Sequence, residues 1–370
     1  MTQSFRAILE RDSIGNGLHC ALSGLPTSAI GHDATFTLRT RVKVKRASGV
    51  DGDAVINEHK LKLQSTTVRL PVEDHAGTLY RYAGKQIDIQ IAAKLEIDDG
   101  IVFDSRLETE LDVPLRKLAA AEASASLIDP VDKFSLAANL RALSPVDRMI
   151  VHVLLAIGGI VSLGNAAIGV HDEFVPESQT IWYDHSGSDG SESPTVKSLL
   201  GSGGVGLAIW AAVYARLRRY MRISLQPGIT TPRRGERIAA RNLVDGTARV
   251  ALEQSTLRVV AANRELGQYR EKSGKETKTR SFAAPVQAIV LFEQFLPHVP
   301  AGSSLADHLD GDVDFDPIFT VLHPPLMAGS NHGIDIVWEV QLLHPEFVDQ
   351  ELVGPNDWIA GDWQADANNP

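Results

Sequence analysis

The densest run of side chains able to do chemistry is Asp307-His308-Leu309-Asp310-Gly311-Asp312-Val313-Asp314-Phe315-Asp316. Alternating carboxylates around a glycine are how oxygen-rich Ca²⁺ loops are built. An EF-hand also needs a bidentate Glu at its twelfth position, and counted from Asp310 that position is Val321. The pattern fails there, so the run is expected to be a solvated acidic loop with its carboxylates spread apart. The 12 histidines invite a metal reading, but none stands at H-x-x-x-H or H-E-x-x-H spacing. His298 with His308, or His323 with His332, would have to be brought together by the fold. Gly201 to Gly206 (GSGGVG) resembles neither a nucleophile elbow nor a phosphate loop, and it lacks the Lys-Ser/Thr ending. His171, Asp172, Asp184 and His185 accompany Trp182 and Tyr183, which read as an interfacial aromatic pair in a polar loop rather than a metal site. The sequence therefore assigns no catalytic, metal-binding or cofactor-binding residue and no cofactor, and a non-enzymatic protein is expected.

What positions these groups is an apolar hairpin, Met149 to Arg222, between two strand-rich halves. Met149 to Val170 contains no Asp, Glu, Lys, Arg or Pro, and Ser198 to Tyr214 is a shorter, glycine-rich second arm. Each arm has about 20 uncharged residues, roughly what a helix needs to cross a hydrocarbon core. A transmembrane hairpin (149–222) with an external loop (171–197) is expected. The loop carries Asp172, Glu173, Glu177, Asp184, Asp189 and Glu192 against a single Lys197. Arg216, Arg218, Arg219 and Arg222, then Arg233, Arg234, Arg237 and Arg241, follow the second arm, and Lys133, Arg141 and Arg148 precede the first. Bases stay on the cytoplasmic side, which predicts an integral membrane protein with two spans and both large domains cytoplasmic. Gly158, Ser162 and Ala166 recur every four residues, as do Gly204, Ala208 and Ala212, and small residues at that spacing let helices pack closely. His152 lies near the start of the first arm and reads as interfacial.

Composition fits this plan. The chain has 370 residues and a net charge of −10, which gives no encouragement to nucleic-acid binding. Cys20 is the sole cysteine, excluding an intrachain disulfide and a cysteine-based zinc site. The first residues lack a basic head followed by an apolar run, so the first arm is expected to serve as the insertion signal.

Residues 1–112 read as an N-terminal β-sandwich. Phe36, Leu38, Val42 and Val44 share one face of Ala34 to Arg46, with bases opposite; no aromatic residue interleaves with those bases, so they read as a solvated strand face. Ile87, Ile89 and Ile91 alternate with Gln86, Asp88 and Gln90. Short strands with no helical pattern between them point to antiparallel sheets. From 113 to 148 the period changes to that of a helical connector, with Asp129 capping at Pro130 and Val131, Phe134, Leu136, Leu140 and Leu143 on one face. Residues 241–353 form a second strand-rich half, and 354–370 an acidic tail anchored by Trp358 and Trp363. Gly84 to Ile91 is similar to Gly333 to Val340, which suggests a duplication. In the latter, Ile334, Ile336, Trp338 and Val340 are expected to face the core, and Asp335, Val337 and Glu339 the solvent.

An apolar strand and a Pro-rich turn before a G-x-I-x-W-x-V-like strand, carried by Pro324, Pro325, Gly333, Ile336, Trp338 and Val340, resembles the ending of an arrestin-type β-sandwich. The resemblance covers mainly residues 247–353. It implies a mainly β fold of two antiparallel, arrestin-like lobes, here joined by the connector and the two-helix hairpin. It also implies a non-enzymatic adaptor. A membrane hairpin between lobes departs from that family, and no functional residue is carried over. The function expected is a membrane-anchored cytoplasmic scaffold that meets the lipid bilayer and a protein partner, and no nucleic acid. The alternatives are an accessory or pore-lining subunit that self-associates as a homo-oligomer through the small-residue faces, or a metal-dependent hydrolase using the Asp307–Asp316 loop.

Overall fold

The computed structural model of the chain describes residues 5–11, 18–72, 79–98, 105–113, 115–116, 128, 145–179, 181, 206–213, 224–225, 231–248, 251–273, 276–345, 348–354 and 357–363. Most of the expected connector, the loop from Trp182 to Lys197, Gly201 to Val205, Arg216 to Arg222 and residues 364–370 lie outside them.

The described chain is mainly β. Its first half contains β1 (Arg6–Arg11), β2 (Leu18–Ser23), β3 (Asp33–Val44), β4 (Gly49–Val50), β5 (Gly52–Lys62), β6 (Val68–Val72), β7 (Arg81–Ala83), β8 (Ile87–Asp98), β9 (Ser105–Glu110) and β10 (Leu115–Arg116). One sheet runs β1-β2-β6; the other runs β10-β7-β8-β3-β5, with β9 also on β8. Side chains alternate along a strand, so β3 and β8 present Phe36, Leu38, Val42, Val44, Ile87, Ile89 and Ile91 to a common core, where all are buried. Cys20 and Leu22 of β2 and Leu70 and Val72 of β6 close that core from the other sheet.

The bases on the outer face of β3 meet carboxylates on its neighbours. Arg39 pairs with Asp53 at 2.9 Å, Lys45 with Asp88 at 2.8 Å, and Arg41 with Glu108. Lys94 and Arg106 both hold Glu96, at 2.8 and 3.0 Å. The hydrogen bond from Lys94 is the chief reason the Glu96 carboxyl lies below its ordinary range. This face neutralises itself.

Thr40 breaks the pattern from the inside. It is fully buried, and its hydroxyl has no hydrogen-bond partner among the described residues. A buried hydroxyl without a partner costs more than a methyl of the same shape. Thr40→Val is therefore expected to stabilise the protein by about 1 kcal/mol, read as a higher urea midpoint with an unchanged slope.

Helix α1 (Pro145–Phe174) matches the first apolar arm. It is the one helix among the described residues that is long and apolar enough to cross a membrane. The second arm is described as a helix, α2, over residues 206–213, so a second described helix of spanning length is not found. The two pack where glycines allow: a Cβ on Gly206 would overlap the Ser162 hydroxyl, and one on Gly158 would press on Ile209. The small-residue face of α1 is thus used as expected at Gly158 and Ser162, which meet Ile209 and Gly206; of the second arm's expected stripe, Ala208 and Ala212 are exposed and Gly204 lies outside the described residues. Residue numbers rise along α1 as they fall along α2, so the helices are antiparallel.

The second half adds β11 (Ser224–Leu225), β12 (Arg237–Ala239), β13 (Val244–Asp245), β14 (Leu252–Ser273), β15 (Glu276–Val299), β16 (Asp312–Asp314), β17 (Leu326–Met327), β18 (Gly333–Leu343) and β19 (Val348–Val353). Its main sheet runs β15-β14-β18-β17, with β19 also on β18. Both halves repeat one plan. A long strand (β3 or β14) pairs on one side with a long strand that comes after it (β5, beyond the short β4, or β15) and on the other with a further long strand (β8 or β18). The far edge of that further strand is shared by two short ones, β7 and β9 or β17 and β19. The likeness between Gly84–Ile91 and Gly333–Val340 thus falls on strands with equivalent neighbours.

Ile334, Ile336, Trp338 and Val340 are buried, as the alternation predicts. The opposite face of β18 is not the wet face expected. Val337 is 4% exposed and clusters with Ile128, Val260, Ala262 and Ala288, and Glu339 is 0% exposed. A sheet covered on both sides loses the polar alternation that marks a solvated face.

Candidate functional site

The acidic run of residues 307–316 is a strand and a turn. β16 pairs antiparallel with β12, which sets Asp314 against Arg237, and their side chains pair at 3.0 Å. Asp314 also accepts the backbone N–H of Asp316 at 3.0 Å, and the Asp316 carboxylate accepts that of Gly235. Asp307, Asp310 and Asp312 are exposed as expected of a solvated loop, but Asp314 and Asp316 hold the chain that arrives from the second apolar arm. No group of three or more His, Cys, Asp or Glu side chains among the described residues could hold a metal ion.

The histidines are dispersed. His298 faces Glu253 at 2.7 Å on an exposed strand end, and His308 meets the Ser303 hydroxyl at 3.2 Å. That hydroxyl donates to the Pro300 carbonyl, so the contact builds a turn, not a nucleophile. His332 bonds the Val50 carbonyl at 2.9 Å, and His323 lies between the rings of Tyr80 and Tyr82. Both belong to a junction between the two halves.

That junction is built around Glu265, which no sequence pattern singled out. Leu257, Val259 and Ala261 face the second core from β14, and the same alternation carries Asn263 and then Glu265 inward, where both are fully buried. The Glu265 carboxylate accepts the Tyr82 hydroxyl at 2.8 Å, the Lys85 N–H at 2.8 Å and the Gln86 N–H at 2.6 Å. The β7–β8 turn wraps this carboxylate closely. A side chain on Gly84 would overlap it, so the turn requires glycine. Burial, reinforced by the Glu265 charge, pushes the Tyr82 phenol far above its ordinary pKa and keeps it a donor. Asn263 accepts the His323 N–H and donates to the His323 carbonyl, both at 2.9 Å, and the Tyr80 hydroxyl donates to the Pro324 carbonyl at 2.6 Å.

Apolar contacts and backbone pairing continue the junction. Leu326, Ala328 and Ile334 of the second half belong to the core of the first. β4 pairs with β14 at Gly49–Tyr269 and Val50–Gln268, and the Arg46 guanidinium sits over the Tyr269 and Phe282 rings at 4.7 and 4.6 Å. Chemically the site can fix one half on the other. Its carboxylate already accepts three donors.

A second outcome concerns the basic residues after the hairpin. Arg233 pairs with Asp362 at 3.1 Å and Arg234 donates to the Asp362 carbonyl, while Arg237 holds Asp314. The tail that carries Asp362 is docked by Trp358, whose indole N–H donates to the Ile336 carbonyl at 3.0 Å, and by Trp363, which packs edge-on against Phe319. Arg233 and Arg237 are thus accounted for by the second lobe before any appeal to membrane topology.

No family model and no curated protein matches the chain. Among solved structures it is similar to a Salmonella alpha-2-macroglobulin reacted with methylamine, at 10% identity, with 95% of this chain and 16% of that one aligned. The TM-score is 0.18, too low for the match to bear on fold or function.

Proposed function

We propose that this chain is a membrane-anchored, non-enzymatic adaptor whose two arrestin-like lobes act as one rigid body that binds a protein partner. The observation that carries the anchoring is the inverted polarity of α1. Its inward seam holds Val151, Leu155, Gly158, Ser162, Asn165 and Gly169, while Ile157, Ile160, Leu163 and Val170 are exposed. Only 11% of its most apolar window is buried. In water the large aliphatic side chains would face inward and the small and polar ones outward. Lipid as the surrounding solvent favours the order found here.

The antiparallel contact of α1 with α2 supports two spans with both lobes at the same end. Arg216, Arg218, Arg219 and Arg222 favour the cytoplasm for that end. The seam of α1 is occupied by α2 of the same chain, which favours an anchor over a self-associating, pore-lining hairpin. The repeated strand plan, with one lobe fixed on the other through Glu265, supports the adaptor reading. Partner binding is assigned to loops, because the long outer strands are poor templates for strand addition. β15 carries bulges at Val286 and Leu291 together with Pro285 and Pro297, and β5 a bulge at Ile56.

Topology is tested by cysteine labelling. Cys20 cannot report the cytoplasmic side: it is fully buried, and burial pushes its thiol pKa up to about 12. Single cysteines at Ser188, and at the exposed Gln64 and Lys278, avoid that problem. An impermeant thiol reagent should label only Ser188→Cys in intact cells, and all three after lysis. Labelling of Gln64→Cys or Lys278→Cys from outside, or extraction of the protein by carbonate, would overturn the anchored topology.

A further inference from the structure

The chain entering the second lobe is held by ion pairs and by hydrogen bonds, including the start of the β12–β16 ladder. In Thr231 to Arg237, Pro232 is the one buried residue; Arg233, Arg234, Gly235 and Arg237 are exposed. Thr231 accepts the Asp357 N–H at 3.1 Å, Arg233 and Arg234 reach Asp362, Gly235 donates to Asp316, and Arg237 pairs with Asp314. The surface beneath is different. Trp358 and Trp363 bury their rings beside Phe319 in the lobe's core and hold Asp357 and Asp362 in place. Arg233 and Arg237 therefore lie on the Asp362 and Asp314 carboxylates and Arg234 on the Asp362 carbonyl, with little apolar contact to keep the strap there.

We infer that Thr231–Arg237 is a strap whose arginines exchange between these contacts on Asp314 and Asp362 and the anionic headgroups of the bilayer. This rests on the anchored reading, which puts the strap within 18 residues of α2 and so within reach of the membrane surface. The magnitudes allow exchange. An exposed ion pair contributes little and is screened by salt, and a base near an anionic leaflet gains a comparably small amount. Neither partner holds the arginines decisively, so lipid composition can tip the balance. Release would leave the second lobe folded, because its core and the β14–β18 ladder do not involve the strap. It would change how far that lobe stands from the membrane.

The test uses the full chain in vesicles of phosphatidylcholine alone or mixed with phosphatidylserine, with flotation and amide hydrogen exchange read on the same samples. In the anionic vesicles, Gly235, Phe315 (which donates to the Glu236 carbonyl) and the β12–β16 amides should exchange roughly fivefold faster or more. High salt should change exchange in neutral vesicles and abolish the lipid dependence, and β14–β18 amides should not respond. Arg233→Gln with Arg234→Gln and Arg237→Gln should remove the lipid dependence, whereas Asp314→Asn with Asp362→Asn should give fast exchange in both vesicles. Equal exchange in both compositions, with the protein floating in both, overturns the strap and leaves the anchor standing. Failure to float in either overturns the anchor and the strap together.

Discussion

Glu265→Ala is expected to destabilise the protein by about 4 kcal/mol, because three donors lose their acceptor at once. The Tyr82 hydroxyl and the Lys85 and Gln86 N–H groups all end on this fully buried carboxylate. A buried donor left without a partner costs on the order of 1–3 kcal/mol, and donors to a charged acceptor stand at the upper end. Water entering the vacated volume would recover part of that cost. Glu265→Gln keeps the shape and one acceptor oxygen but turns an NH₂ toward an N–H, so it should cost roughly half as much. Gly84→Ala attacks the contact from the other side, since its methyl group would overlap the carboxylate. Combined with Glu265→Ala it should cost less than the sum of the two, because Glu265→Ala removes one of the groups the methyl meets, while the Tyr82 ring remains in its way. Urea unfolding of the parent and the four variants in one detergent measures all of this. A Glu265→Ala cost under about 1 kcal/mol would mean that apolar packing of Leu326, Ala328 and Ile334 alone fixes the halves.

Glu265 shows where the sequence could be read and where it could not. Its strand offers Leu257, Val259, Ala261, Asn263 and Glu265 at alternate positions, so the parity that buries the first three also buries the last two. A polar residue at core parity was the available signal. It was masked by the charged surroundings, Arg264 before it and Arg270 to Lys272 after it. Its partners lie about 180 residues away, in a turn that shows nothing unusual except Gly84. The same distance problem hid Arg237 beneath the acidic run. Each looked like a solvated charge because its partner is on another strand. Alternation in β3, β8 and the Trp338 face of β18 was legible because one face is uniformly aliphatic. The apolar length of α1 was equally plain. The inverted polarity of α1 was not, because length and composition do not show which side chains face a neighbour.

Trp338→Ala is expected to cost on the order of 3–5 kcal/mol, the usual range for emptying an aromatic core site. Trp338 is fully buried at the centre of the second core and meets the Phe315 ring edge-on at 5.5 Å. Strand β18 holds it between β14 and β19, at Ala261 and Val353, so neither backbone can move in to fill the cavity without breaking a ladder. The neighbouring Glu339→Ala, which strand alternation alone would treat as a surface change under about 0.5 kcal/mol, now becomes the informative comparison. Glu339 is fully buried and accepts the Gln341 amide, while Gln341 accepts two N–H groups from Arg258, at 2.9 and 2.7 Å. Truncating Glu339 strips one end from that chain and should cost about 1–3 kcal/mol. Both faces of β18 therefore carry stability, one by aromatic packing and the other by a buried polar row. Protease resistance of the second lobe, followed with membrane fractionation of the same samples, separates the effects. Trp338→Ala should expose the lobe to cleavage and abolish partner capture, while the protein still fractionates with membranes because the hairpin is not involved. Glu339→Ala should lower the midpoint of unfolding yet leave a resistant lobe at low temperature. A Glu339→Ala protein as stable as its parent would mean that this face opens to water in solution.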